Sequence, residues 1–389
     1  MRILHVSDCY LPRVGGIEMH LRDLVLQQRT AGHDVRVLTT TTAGADEASD
    51  PEWVRRTGRS TSGGTDLRGA EADLARLLRE EPVDVVHVHV SVFSPFATLA
   101  ARHCSALAIP TLVTVHSMWS RLGPLPTIAK AVLRLRSWPV TWSAVSERAA
   151  EPLRDMLGPD VPVWVLANAV DPAQWRQAPP TDVDAGGVPT IVSVMRLTRT
   201  KRTLPLARML GQVREALPRD TEVRALIIGD GPQRAALSRY LRRHRMDGWV
   251  DLPGRLDRAA IHEALARAAL FVAPATLESF GIAALEARTA GLPVVASSRS
   301  GVGEFITSGV DGLLGDTDQI MVEQMVRLLT DHRLRASMSA HNRLVPPRHD
   351  WLAACRRTEE LYQLSAARVA PGAVPAPSSA TDLVFRRSA

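Results

Sequence analysis

Short apolar runs alternate with longer segments of helical spacing along most of the chain. Ile3–Ser7 reads as an apolar strand, and Ile17, Leu21, Leu24, Val25 and Gln28 then recur at helical spacing through Thr30. Gly32 ends that helix, and Val35–Thr39 reads as a second strand. β-Branched runs follow at Val83–Val90, Thr111–Val115, Val140–Val145 and Val163–Leu166. The polar stretch from Ala43 to Gly69, with its Gly, Ser and Thr, reads as a long loop. Strands that are apolar throughout and alternate with helices predict a parallel sheet covered on both faces.

The pattern breaks at Ala178–Pro189 (APPTDVDAGGVP), a linker by composition. A second series begins at Thr190–Val194 and continues at Arg224–Gly229, Val250–Leu252, Leu270–Ala273 and Pro293–Ser297. The expected architecture is α/β: two Rossmann-like, doubly wound domains, 1–177 and 190–345, facing across a cleft and joined by the linker 178–189. A helical stretch within 346–365 is expected to pack back on the first domain, and the Ala-, Pro- and Ser-rich tail 366–389 to be disordered.

Composition narrows the class without naming it. A chain of 389 residues suits two or three domains at ~150 residues each. With 45% hydrophobic and 23% charged residues it is neither disordered nor a small disulfide scaffold. No run reaches the ~18 apolar residues that suggest a spanning helix. The start, MRILHVSDCYLP, reads as a strand and not as a signal peptide. Cys9, Cys104 and Cys355 are odd in number and far apart, which fits a reduced, cytoplasmic protein. The net charge of +6 allows nucleic acid, an acidic membrane surface or a phosphate-bearing substrate. Aromatics at 4%, with no zinc-finger spacing and no RNA-binding signature, argue against nucleic acid.

The candidate chemistry lies where strands give way to helices, because ligands of open parallel sheets bind beyond the carboxyl ends of the strands. After the first strand, PRVGGIE places Gly15 and Gly16 before a helix. That is either a plain tight turn or a close approach of backbone to an anion at a helix start. It is neither a GxGxxG fingerprint nor a GxxxxGK[ST] loop. After Thr190–Val194, MRLTRTK carries Arg196 and Lys201, a pair suited to clamping a diphosphate or simply a solvated basic turn. Only Lys130 and Lys201 are lysine among the 47 basic positions, so a compact ammonium at 201 stands out. IIGDGPQR places Gly231 and Pro232 at another turn into a helix, and LESFGIAALEA separates Glu278 from Glu286 by seven residues. Glu278 then sits at a helix mouth and Glu286 about two turns inside, in an apolar setting where a buried carboxylate needs a partner.

With these residues in hand, the chain from about Met1 to His349 resembles the GT-B-fold retaining glycosyltransferases of family 4, also called group 1. The motifs occur in the family's order: the Gly-Gly loop, VTVH at Val113–His116, NAVD at Asn168–Asp171, the Arg196/Lys201 pair, GDGP at Gly229–Pro232, LPGR at Leu252–Arg255, and Glu-x7-Glu. Ser300–Leu314 matches the GG-x-x-E-x-I segment, with Ser300 in place of a Gly. The resemblance implies that Arg196 and Lys201 hold the nucleotide diphosphate as it leaves. Glu278 would bind the donor sugar beside the amides of Phe280, Gly281 and Ile282, and Glu286 the ribose. Gly231, Pro232 and Arg255 would lie near the nucleotide, Gly15 and Gly16 near the phosphates or sugar, and His116 at the reaction centre.

The resemblance further implies transfer with retention and needs no metal or other cofactor. The two Asp-x-Asp strings, Asp182-Val-Asp184 in the linker and Asp316-Thr-Asp318 in a late loop, are not convincing metal motifs. The expected donor is a nucleotide sugar, UDP-linked, and the acceptor a small molecule or a lipid-linked one. VSDCYLPRVGGIEMH, VHVHVSVFSPFA and NAVDPAQW look most like the branch that adds N-acetylglucosamine to phosphatidylinositol, and resemble the enzymes that glycosylate inositol phosphate. Arg121, Lys130, Arg134 and Arg136 flank apolar residues in Leu122–Trp138, which either rests on the inner face of a membrane as a peripheral contact or lines the acceptor side. A sugar-nucleotide epimerase, a phosphorylase and a catalytically idle binding protein are the alternatives; oligomeric state is not legible.

Overall fold

The computed structural model describes residues 1–43, 50–58, 65–119, 134–176 and 187–370. Two compact units divide the chain: Met1–Ala169 together with the chain from Trp351 onward, and Val170–Asp350.

The first unit holds a seven-stranded sheet. Its strands are β1 (Arg2–Ser7), β2 (Asp34–Thr39), β3 (Val54–Arg56), β4 (Val85–Val90), β5 (Thr111–Val115), β6 (Thr141–Ala144) and β7 (Val163–Val165). They run in the order β3-β2-β1-β4-β5-β6-β7, every pair parallel. All six residues of β4 are buried. That follows from helices covering both faces, since a parallel neighbour is reached only through a crossover that lays a helix on the sheet. The helix Gly16–Thr30 buries Leu21, Leu24, Val25 and Gln28, the face that the sequence spacing predicts.

The second unit holds β8 (Thr190–Val194), β9 (Arg224–Ile228), β10 (Val250–Gly254), β11 (Leu270–Ala273), β12 (Val294–Ser297) and β13 (Gly312–Gly315). Their order is β10-β9-β8-β11-β12-β13, again all parallel. Its core runs from Ile191 and Leu206 through Ile227, Leu270 and Val295 to Met325.

Three sequence expectations shift. Ala43–Gly69 is not loop throughout: Val54 is buried and opens the edge strand β3 against Val37. The chain enters the second unit at Val170, ahead of 177, where Val170 bridges to Asp350. The last helix spans Trp351–Val369, past the expected end at 365, and lies in the first unit, with buried Trp351, Leu361 and Tyr362 facing its core. Of the expected linker and tail, 177–186 and 371–389 lie outside the described residues.

In each sheet the chain reverses its direction of growth once, between β1 and β4 in one unit and between β8 and β11 in the other. Those switch points open a crevice beyond the carboxyl ends of the strands, which is where open α/β sheets take ligands. The loops there are tight. Gly229 has φ +131°, and a Cβ added to it would lie 1.9 Å from the carbonyl oxygen of Met195. Gly229→Ala is therefore expected to cost about 3 kcal/mol or more, combining backbone strain with overlap against a fixed carbonyl. Chemical denaturation checks this; an unchanged midpoint would refute the close packing of the β8 and β9 exits.

Candidate active site

In the second unit the β8 and β11 exits meet. The Lys201 ammonium donates to Glu278 Oε2, forming an ion pair with side chains 31% and 18% exposed. Both groups are positioned by backbone. The Lys201 amide donates to the Thr198 hydroxyl (3.3 Å), and the Glu278 carbonyl accepts from the Gly301 amide (2.9 Å). Arg202, at φ +59°, leads into the helix Thr203–Ala216, and its guanidinium forms a two-pronged pair with Asp318 at 2.7 Å. One carboxylate of Asp316-Thr-Asp318 is thus engaged by arginine; Asp182 and Asp184 lie outside the described residues.

Glu278 is followed by a turn into the helix Ile282–Thr289, capped by Gly281 at φ +95°. A Cβ on Gly281 would lie 2.4 Å from Val302 Cγ2, so this position excludes a side chain on two counts. Phe280 is buried against Phe305 and His349, ring centroids 5.3 and 5.5 Å away, so only its backbone is available to a ligand. Ile282 opens the helix, and Glu286 lies half-buried one turn further on, between buried Leu285 and Ala287. Gly231, at φ +155°, packs so closely that an added Cβ would lie 2.5 Å from the Leu197 carbonyl oxygen. Pro232, Arg196 and Arg255 are exposed, and the Arg196 guanidinium has no ion-pair partner among the described residues.

In the first unit, Gly15 is the N-cap of the helix Gly16–Thr30, and Gly16 has open space where its Cβ would be. The first turn of this helix carries an acid of its own, Glu18. The Glu18 carboxylate, 5% exposed, curls over Gly15 and pairs with Arg13 Nε at 2.9 Å. A Cβ on Gly15 would meet Glu18 Oε2 at 2.5 Å. Sequence reasoning passed over Glu18, although an acid in the first turn is a signal of this kind.

His116 follows β5, its amide donating to the Val90 carbonyl (2.8 Å), and its ring is buried. It ends a row of buried histidines that the sequence reading did not single out. His116 Nε2 lies 2.9 Å from His89 Nδ1, and His89 Nε2 lies 2.9 Å from His5 Nδ1. His5 Nε2 reaches the Gln28 side-chain oxygen at 2.7 Å. On the other side the Gln28 amide nitrogen donates to the Tyr362 hydroxyl (3.0 Å), which lies 2.9 Å from His87 Nδ1. His87 Nε2 and Thr114 Oγ1 are 2.7 Å apart, Thr114 and Ser143 hydroxyls 2.8 Å, and Ser143 donates to the Val113 carbonyl at 3.2 Å. The signal was VHVHV: with period two, His87 and His89 share one face of a strand buried on both sides.

Burial disfavours the charged imidazolium throughout this row and at His20, whose ring centroid lies 5.9 Å from that of His116. It lowers His5 and His20 to about 4 and His116 to about 3, and holds His87 and His89 well below the ordinary histidine value. His5, His87 and His89 each bring a ring nitrogen within 4.8 Å of the others, a spacing that would suit a cation. All six of their ring nitrogens already have hydrogen-bond partners, however, so a cation would have to break that set.

The basic stretch 121–138 lies outside the described residues up to 133; Arg134 and Arg136 are exposed. Among the described residues no helix is long and apolar enough to cross a membrane.

Two parallel α/β units with charged and glycine-bearing turns at both switch points define a GT-B-type architecture, and comparison with known proteins agrees. Residues 14–174 match the model for Glycosyltransferase Family 4 and residues 181–345 that for Glycosyl transferases group 1. The chain belongs to this glycosyltransferase family. It is 27% identical over 380 residues to a phosphatidylinositol N-acetylglucosaminyltransferase subunit of Arabidopsis thaliana, covering 93% of this chain and 81% of that one. It is 28% identical over 403 residues to glycogen synthase of Mycobacterium tuberculosis, covering 93% and 94%. Among solved structures, Anabaena HepE in complex with UDP and glucose superposes with a TM-score of 0.73 at 18% identity, over 93% of this chain and 99% of that one.

Proposed function

We propose that this glycosyltransferase moves a hexosyl or N-acetylhexosaminyl group from a nucleoside-diphosphate sugar, UDP-linked, to a hydroxyl of a sugar or inositol-type acceptor, with retention. The observation that carries the reading is the Lys201–Glu278 pair at the β8/β11 switch point, beside the helix that starts after Gly281. A cation and an acid held together there suit the two ends of a sugar diphosphate: phosphate for the ammonium, sugar hydroxyls for the carboxylate. Arg196 adds a second cation for the diphosphate, and Glu286 binds the ribose. Gly231, Pro232 and Arg255 border the nucleotide, and Gly15, Gly16 and His116 belong to the reaction centre. The UDP held by HepE and the acceptor in the Arabidopsis relative's name support the choice of donor and acceptor.

Catalysis in this reading is electrostatic. As the bond from anomeric carbon to phosphate oxygen lengthens, negative charge grows on the diphosphate and the cations stabilise it. The acceptor hydroxyl attacks from the face the diphosphate leaves, and a departing phosphate oxygen takes its proton. No carboxylate of the chain becomes a covalent nucleophile.

The test is a panel of UDP-, ADP- and GDP-sugars against inositol phosphate, phosphatidylinositol vesicles and maltooligosaccharides, reading nucleotide release and the anomeric configuration of product. Release that requires acceptor, with the donor's configuration kept, is expected. Release at the same rate without acceptor, or an inverted product, would overturn the reading. Transfer is further expected to persist in excess chelator, because cationic side chains take the diphosphate charge. Strict dependence on magnesium or manganese would count against that arrangement.

A further inference from the structure

Lys201 sits on a turn that is strained at the very next residue. Arg202 has φ +59° and ψ 41°, a left-handed conformation that glycine adopts freely and an L side chain does not. Locally the turn closes on itself. The Arg202 amide donates to the Arg199 carbonyl (3.0 Å), and the buried Thr203 hydroxyl to the Thr198 carbonyl (3.0 Å). Neither bond reaches another loop, but the Arg202 guanidinium does. Nη1 donates to the Pro274 carbonyl at 3.2 Å and to Asp318 Oδ1 at 2.7 Å, and Nη2 donates to Asp318 Oδ2 at 2.7 Å. Pro274 directly follows β11, four residues before Glu278, and Asp318 opens the helix Asp318–Thr330 beyond β13. One side chain thus ties the β8 exit, which carries Lys201, to the β11 exit, which carries Glu278, and to the β13 exit.

We propose that Arg202 is a positioning residue for Lys201: its clasp on Pro274 and Asp318 fixes where the ammonium stands against the diphosphate. Glycine would keep the left-handed turn with less strain but would leave the three loops untied. The planar guanidinium has donors enough to engage a carboxylate with two bonds and a carbonyl with a third. Its charge is turned to the Asp318 carboxylate, so its effect on a diphosphate runs through its neighbour. Lysine reaches a ligand from its Cα through four methylenes, and a shift of the turn carries the ammonium with it. A misplacement of about 1 Å is enough to cost roughly 100-fold in rate. This inference rests on the proposed role of Lys201 and goes beyond it by naming what holds that residue in place.

Steady-state kinetics on the full chain test it, with whichever UDP-, ADP- or GDP-sugar the wild type turns over. Arg202→Gly keeps the turn and removes the clasp; Asp318→Ala removes the clasp from the other side. Each is expected to lower kcat roughly 10- to 100-fold with KM for donor unchanged and melting temperature held. Asp318→Glu keeps a carboxylate for the guanidinium and is expected to keep most of the kcat. In a Lys201→Ala background neither Arg202→Gly nor Asp318→Ala should lower kcat further by more than about twofold, because the residue they act through is gone. An unchanged kcat in Arg202→Gly, or a full loss repeated in the Lys201→Ala background, overturns the proposal. So does a wild-type kcat in Asp318→Ala beside a low one in Arg202→Gly, which would mean that Arg202 meets the ligand itself. If Arg202→Gly does not fold, Asp318→Ala carries the same comparison. An unchanged kcat in Lys201→Ala overturns the role of Lys201 and this inference together, whereas a low one beside an unharmed Arg202→Gly overturns this inference alone.

Discussion

Taking the protein from pH 7 to pH 5 is expected to strip several kcal/mol from the stability of the unit that contains the histidine row. His5, His20, His87, His89 and His116 are all buried and all titrate below the ordinary value of 6.5, His5 and His20 near 4 and His116 near 3. The unfolded chain takes up their protons as the pH falls past 6.5, while the folded chain does not. Stability is therefore complete above 6.5 and is lost as the pH falls from there toward 4. At pH 5 a histidine held near 4 or lower, as His5, His20 and His116 are, costs about 2 kcal/mol, set against a typical total of roughly 5–15 kcal/mol for a folded protein. Urea midpoints at pH 7, 6 and 5 measure the effect. Equal midpoints at pH 7 and 5 would mean that the row is hydrated or already charged at neutral pH.

Lys201→Ala should lower kcat by about 10²–10³-fold with the fold intact, the loss expected when one preorganised charge is removed from a developing anion. The ion pair with Glu278 adds a sharper consequence. A carboxylate bound to the Lys201 ammonium competes with phosphate for it. Glu278→Gln should therefore impair transfer while tightening free nucleoside diphosphate, and Glu286→Gln should weaken diphosphate and intact donor alike, by roughly ten- to a hundredfold. Calorimetry on the single variants and on Lys201→Ala/Glu278→Gln completes a double-mutant cycle, in which the tightening disappears once Lys201 is gone. Weaker diphosphate binding in Glu278→Gln alone would show that the carboxylate orients the ammonium for phosphate instead of competing with it.

The two parallel sheets were legible because each strand is an apolar run and each crossover helix has its own spacing. β3 and β13 were not. Val54–Arg56 is three residues long, and Gly312–Gly315 owes its place to Gly312, where a Cβ would lie 2.2 Å from the Val294 carbonyl oxygen. Neither leaves a hydrophobic period to detect. The second-unit site could be read from Lys201 and Glu278 because each follows a strand directly, although 77 positions of sequence separation hid their pairing. The histidine row was hidden differently. Its members come from β1, β4, the β5 exit and two helices, and only the strand order brings them together. Period two in VHVHV fixed a common face for two of them, but nothing local says that the face is buried under Tyr362.

Tyr362 and Trp351 have a consequence for synthesis on the ribosome. Both come from the final helix, yet Tyr362 joins the core cluster of Ile3, Val35 and Leu112, and Trp351 that of Leu24 and Ala169. Domains usually fold in the order in which they emerge. Here the stretch Val170–Asp350 is contiguous and leaves the ribosome whole, while the unit begun first waits for the helix Trp351–Val369. Until then its nascent sheet exposes a gap that this later helix fills. A truncation after Asp350 would make that gap permanent.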